Sequence, residues 1–192
     1  MSLANILTIS RFFLAIVFFV LLSFRGTVMR DLALVTFVLA GVTDFLDGYF
    51  ARKWSTLSDF GRIADPFVDK ILICGAFIFF ITQQDPDVRV RAWMVVVLVA
   101  REFLVNGLRS FAESRGVPFG ATILGKLKMC VQFVTVCWIL TFLGHFSACG
   151  LAGLVTSIMV WATVVLTAAS GGIYVYMAAA HGLLRMKKAV NA

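Results

Sequence analysis

The sequence predicts an all-α polytopic membrane protein built as a bundle of six transmembrane helices. Three observations lead there. Apolar residues fill 61% of the 192 positions and charged residues only 14%, with a mean hydropathy of +0.97, far from soluble norms. Apolar stretches recur at about the 20-residue length that crosses a bilayer. Turn-forming glycines, prolines and charges stand between those stretches. Such a chain holds about six spans with short connections and no sizeable soluble domain. Residues 1–192 therefore read as a single integral-membrane domain whose chemistry has to come from the helices themselves.

The first span falls near Ile6–Phe24 and stops at Arg25-Gly26. Ser23-Phe24-Arg25-Gly26-Thr27 offers no small-x-small cleavage pattern, so the stretch reads as a helix and not as a cleaved signal. The second covers Asp31–Arg52 and the third Asp65–Thr82, with a reversal of about a dozen residues from Lys53 to Gly61. Asp85-Pro86-Asp87 precedes the fourth, Val90–Phe111, and Arg115-Gly116-Val117-Pro118 separates it from the fifth, Ala121–Leu143. Gly144 to Gly150 leads into the sixth, Leu151–Leu183. That run exceeds one span and predicts a tilt, a break at Ser170-Gly171-Gly172, or an interfacial end.

Six spans bring both termini to one side. With the loop after Arg52 inside, Arg11, Arg52, Lys53, Arg62, Lys70, Arg101, Arg109, Arg115, Lys126, Lys128, Arg185, Lys187 and Lys188 face the cytoplasm. Arg25, Arg30, Arg89 and Arg91 remain outside, so thirteen basic residues stand against four, and the positive-inside rule orients the chain. The net charge of +7 suits anionic membrane lipids at the inner surface. With no soluble basic domain, no nucleic-acid partner is expected.

Within this apolar chain, Asp44, Asp47, Gly48, Ala51, Arg52, Gly61, Asp65 and Asp69 form a tight polar group. A charge at membrane depth costs roughly 2.5–3.5 kcal/mol on insertion scales, so four carboxylates near the bilayer edge point to function. Residues three and four apart share a helix face. Asp44, Asp47 and Gly48 thus lie on one stripe, continued by Ala51 and Arg52, and Asp65 and Asp69 repeat the pattern on the next helix. Antiparallel helices would oppose the two pairs around one small volume. Mutual repulsion then calls for protons or for a hard divalent cation, and all-oxygen ligation suits Mg²⁺ or Mn²⁺. Helix capping accounts for Asp59 but not for these four.

A basic counterpart follows. Arg101, Glu102 and Arg109 interrupt the fourth span, and Lys126 and Lys128 the start of the fifth. Arg101 and Arg109 are separated by about 80° around a helix, so one face presents both. Basic groups beside a metal site are what a phosphorylated substrate requires. Arg62 and Lys70 flank the acidic helix start and offset its charge. Cys74, Cys130, Cys137 and Cys149 have no metal-binding spacing, and His145 and His181 lie near span ends, where an interfacial role is expected. A transporter also carries intramembrane charges, but here the acidic group is confined to one end of two helices and no inverted halves are visible.

The eight positions from Asp44 to Asp69 match the signature of the CDP-alcohol phosphotransferase family, and the chain is identified as a member of it on that basis. The opening Asn5-Ile6-Leu7-Thr8-Ile9-Ser10-Arg11, the segment Asp65-Pro66-Phe67-Val68-Asp69-Lys70, and Arg101-Glu102 with Gly107-Leu108-Arg109, Gly125-Lys126, Lys128 and Gln132 resemble the branch that uses a glycerol phosphate acceptor. Met129 stands where that branch often has threonine.

The resemblance implies a six-helix homodimer in a bacterial inner membrane, with its active site facing the cytoplasm. It implies transfer of a phosphatidyl group from CDP-diacylglycerol to sn-glycerol 3-phosphate, giving phosphatidylglycerol phosphate and CMP, with a cardiolipin synthase of the same family as the alternative. It also implies two metal ions on Asp44, Asp47, Asp65 and Asp69, with Asp69 as general base. Gly48, Ala51, Arg52 and Gly61, with Thr8 and Arg11, would serve the nucleotide. Arg101, Arg109, Lys126 and Lys128 would hold the acceptor.

Overall fold

The computed structural model describes the backbone of residues 3–54, 59–83, 88–117, 120, 122–146 and 150–180. Side chains are described for the same residues except 3–8 and 44–69. Six α-helices and no strand occur among the described residues: α1 (Leu3–Ser23), α2 (Thr27–Trp54), α3 (Asp59–Ile81), α4 (Ala92–Ser114), α5 (Ile123–Thr141) and α6 (Gly150–Ala180). A π-helical turn, Phe142–Phe146, extends α5.

Local chemistry sets several of the ends. Gly26, with φ of +134°, takes the left-handed backbone that joins α1 to α2 at the expected Arg25-Gly26 break. α4 stops in a Schellman arrangement: Gly116 has φ of +68°, and Val117 N–H donates to the Ala112 carbonyl at 3.0 Å. α5 opens with Thr122 as N-cap, its hydroxyl accepting from Gly125 N–H at 3.1 Å.

One expectation fails here. The reversal between the second and third helices is much shorter than a dozen residues, since α2 runs on to Trp54 and α3 already starts at Asp59. Of the three alternatives for the long last run, the break at Ser170-Gly171-Gly172 is not the one realised, because α6 is continuous from Gly150 to Ala180. Gly171 serves close packing instead: a Cβ there would lie 3.0 Å from Arg101 Cγ.

α1 packs on both α2 and α3, α5 also touches both, and α4 lies between α3 and α6, which in turn packs on α5. Close approach is built with glycine. A Cβ on Gly75 would sit 2.3 Å from the Phe19 ring, and one on Gly41 2.5 Å from the Phe133 ring. Phe18, Phe37 and Phe133 then form a continuous aromatic stack through α1, α2 and α5, with centroids 5.3 and 4.8 Å apart.

α6 shows what the surroundings are. Its outward stripe is Leu151, Leu154, Ile158, Trp161 and Val165, whereas Thr156, Thr163, Thr167, Ser170 and Tyr174 are buried. The buried hydroxyls bond across to α5: Trp138 donates to Thr156 at 2.9 Å, Thr135 and Thr163 pair at 2.9 Å, and Gln132 donates to Thr167 at 3.3 Å. Apolar residues outside and bonded polar residues within suit a lipid surround, where every polar group needs an internal partner. Among the described residues, Ile123–Phe146 and Gly150–Ala180 are long and apolar enough to cross a membrane.

Candidate active site

Helical register collects the charged side chains. On α4, Arg101, Glu102, Val105, Asn106 and Arg109 recur at the spacing of one face. On α5, Gly125, Lys126, Lys128, Met129 and Gln132 do the same. These two faces, with Lys70, Ile73 and Cys74 of α3 and Tyr174 of α6, enclose a cavity of about 230 Å³. Among the described residues that line it, five are basic (Lys70, Arg101, Arg109, Lys126 and Lys128) and one, Glu102, is a carboxylate. This described lining is electropositive and suited to an anion carrying more than one charge.

The basic groups are held in different ways. Glu102 accepts from the buried Lys128 ammonium and, with both oxygens, from Arg101 Nη1 at 3.3 and 3.4 Å. Arg101 Nε donates to Ser170 Oγ at 3.1 Å, and its guanidinium lies over the Tyr174 ring, 5.5 Å from the centroid. Arg109 Nη2 donates to the Tyr174 hydroxyl at 3.3 Å, while its buried Nε makes no hydrogen bond to the described residues. The same Tyr174 hydroxyl accepts from Thr122 N–H at 3.0 Å. Tyr174 thereby ties Arg109 to the start of α5, four residues before Lys126.

All four residues expected to bind the acceptor, Arg101, Arg109, Lys126 and Lys128, line this one cavity. Arg11 is buried on α1 and Thr8 lies on the same helix, its side chain outside the described residues. Asp44, Asp47, Gly48, Ala51 and Arg52 fall on the last part of α2, and Gly61, Asp65 and Asp69 on the first part of α3. Their side chains are also outside the described residues. Lys70 and Ile73, one residue and one turn beyond Asp69, line the cavity. Among the described residues no group of three or more His, Cys, Asp or Glu gathers. Four carboxylates fit a hard, oxygen-seeking cation.

Sequence reasoning assigned no role to Tyr174 or Asn106, and left Glu102 unassigned. Tyr174 lies in a long apolar run with nothing nearby to mark it. Glu102 could have been found, since an acidic residue inside a span requires a basic partner.

A second, apolar groove of about 480 Å³ runs between α1, α3 and α4, lined by Phe19, Ile71, Gly75, Ile78, Phe79, Val99 and Phe103. It shares Lys70, Cys74, Glu102 and Asn106 with the charged cavity. A polar chamber thus continues directly into an oily one.

The model of the CDP-alcohol phosphatidyltransferase family matches residues 1–169. The chain belongs to that family. Among its relatives, a Bacillus subtilis protein named CDP-diacylglycerol–glycerol-3-phosphate 3-phosphatidyltransferase is 40% identical over 102 residues, covering 53% of this chain and 51% of the relative. Proteins of the same name from Rickettsia typhi and Rickettsia prowazekii are each 34% identical over 173 residues, 90% of this chain and 94% and 93% of theirs. The match thus spans about half of the Bacillus protein and nearly all of the rickettsial ones.

Proposed function

We propose that the protein transfers the phosphatidyl group of CDP-diacylglycerol to sn-glycerol 3-phosphate, forming phosphatidylglycerol phosphate and CMP. The observation that carries the acceptor is the electropositive cavity next to the acidic motif, with Arg109 and Lys126 among its lining residues. A phosphate needs such a site, and an uncharged polyol or a neutral amino acid does not. The adjoining apolar groove offers room for lipid, so a headgroup can react while its chains stay in hydrocarbon.

In this reading all six helices cross a bacterial inner membrane as one domain, with the acidic ends of α2 and α3 at the cytoplasmic face. A second copy of the chain completes a homodimer. Asp44, Asp47, Asp65 and Asp69 hold Mg²⁺ or Mn²⁺, two ions, which when bound neutralise the diphosphate and the charge gathering on departing CMP. Gly48, Ala51 and Gly61 leave space for the nucleotide against the helices, and Arg52, Thr8 and Arg11 bind around it.

Arg109 and Lys126 grip the acceptor phosphate, and with Arg101 and Lys128 they set the positive field that draws it in. Asp69 takes the proton of the acceptor hydroxyl. The hydroxyl oxygen bonds to the phosphatidyl phosphorus, the bond from that phosphorus to the bridging oxygen breaks, and the electron pair leaves with CMP.

The test is CMP release by purified protein in detergent, offering glycerol 3-phosphate, inositol phosphate, serine or phosphatidylglycerol, with and without Mg²⁺ or Mn²⁺. Release that needs glycerol 3-phosphate and a metal ion is expected. Release driven by phosphatidylglycerol alone would make the protein a cardiolipin synthase. Ion flux without any CMP would make it a transporter.

A further inference from the structure

Glu102 is buried on α4 and is the one carboxylate among the described residues that line the charged cavity. It serves two cations at once. The Lys128 ammonium, itself 2% exposed, donates to one of its oxygens, and Arg101 Nη1 reaches both. Arg101 is fixed further by Ser170 and by the close approach of Gly171. Arg109 and Lys126 make no ion pair with a described carboxylate, and Arg109 Nε is buried without a hydrogen bond to a described residue. Beside Lys70, the basic groups of α4 and α5 that line the cavity are thus of two kinds: two already answered by Glu102, and two that an incoming anion would answer.

We infer that Glu102 is a positioning residue that keeps Lys128 and Arg101 off the acceptor phosphate, so that the phosphate seats on Arg109 and Lys126 and its hydroxyl faces the acidic motif. This rests on the acceptor reading above. The physical reason is competition: a buried cation deprived of its carboxylate turns to the nearest other anion, which here is the substrate phosphate. The phosphate then binds more tightly but in the wrong place. Placement of the attacking group is what such a transfer depends on, so misplacement slows the chemical step.

This gives a kinetic signature that loss of structure does not. With purified full-length protein, Mg²⁺ and saturating CDP-diacylglycerol, Glu102→Gln should lower kcat roughly tenfold while also lowering KM for glycerol 3-phosphate a few-fold, the pattern of non-productive binding. KM for CDP-diacylglycerol should not move. Glu102→Gln/Lys128→Met removes the competing ammonium and should be several times faster than Glu102→Gln, and Glu102→Asp should stay closer to the parent. A rise in KM for glycerol 3-phosphate in Glu102→Gln, or a double variant no faster than the single, would overturn the inference. If Glu102→Gln does not accumulate as folded protein, Glu102→Asp against Glu102→Asp/Lys128→Met decides by the same comparison. Absence of glycerol-phosphate-dependent CMP release in the parent would instead count against the proposed function, so the two failures are told apart.

Discussion

Polar groups at the two ends of the bundle are treated differently. Where α2 begins and α5 ends, Asp31 pairs with His145 at 2.9 Å, Arg30 bonds the Leu143 carbonyl and reaches Gln83 Oε1 at 3.2 Å, and Thr27 donates to the Gly144 carbonyl at 3.2 Å. Each donor meets an acceptor of its own, and the result is a clasp between two helix ends. At the other end, the described residues around the charged cavity include five basic side chains and one carboxylate, Glu102, which engages two of them, Lys128 and Arg101. A fold gains nothing from gathering like charges unless something else neutralises them. The clasp is satisfied by described groups of the chain alone, whereas at the cavity the described basic groups outnumber the one described carboxylate.

Removing chemistry from the cavity end should show the largest effects. Asp69→Asn keeps the size of the side chain but not its basicity, and should cut CMP release about a thousandfold, within the range for losing a general base. Its melting temperature in detergent should remain near that of the parent. Turnover close to normal would remove Asp69 from that role.

The next effects separate direct contact from support. Arg109→Ala loses a charged hydrogen-bonding partner of the acceptor phosphate and should raise KM for glycerol 3-phosphate roughly 10- to 100-fold, leaving KM for CDP-diacylglycerol alone. Tyr174→Phe keeps the ring beneath Arg101 but deletes the hydroxyl that orients Arg109 and accepts from Thr122 N–H. Its effect on the same KM should be only about fivefold, the value of a neutral hydrogen bond or so. An effect of Tyr174→Phe equal to that of Arg109→Ala would mean that Tyr174 contacts the acceptor itself.

How much of this could be read beforehand depended on whether the signal was local. Apolar runs and their breakers located every helix to within several residues, because bilayer thickness and the left-handed backbone at Gly26 and Gly116 act on short segments. Register alone predicted that Arg101 and Arg109 share a face, and the four basic residues do meet at one cavity. The choice among tilt, break and interfacial end for the last run was not legible locally, because Gly171 answers to Arg101 on another helix. Tyr174 was missed on the same grounds, since its importance lies in touching α4 and α5 together. The division of the basic groups into those that Glu102 engages and those it leaves is likewise a property of three helices and not of any one.

The clasp at the opposite end provides the smallest effect and the sharpest control. Asp31 and His145 have side chains 47% and 46% exposed, and ion pairs open to solvent contribute about 0.2–1 kcal/mol. Asp31→Asn should therefore lower the melting temperature by no more than a few degrees, roughly 2–4 °C by the scaling for chains of this size. KM for both substrates should stay at the parental values, because nothing in the clasp reaches the cavity. α5 is the element that joins the two ends, with the clasp at its π-helical turn and Lys126 and Lys128 at its start. If Asp31→Asn shifted KM for glycerol 3-phosphate, a displacement of α5 would have to be carried along the hydroxyl ladder that binds it to α6. The acceptor site would then depend on the whole length of that helix pair, and the two ends would no longer be independent.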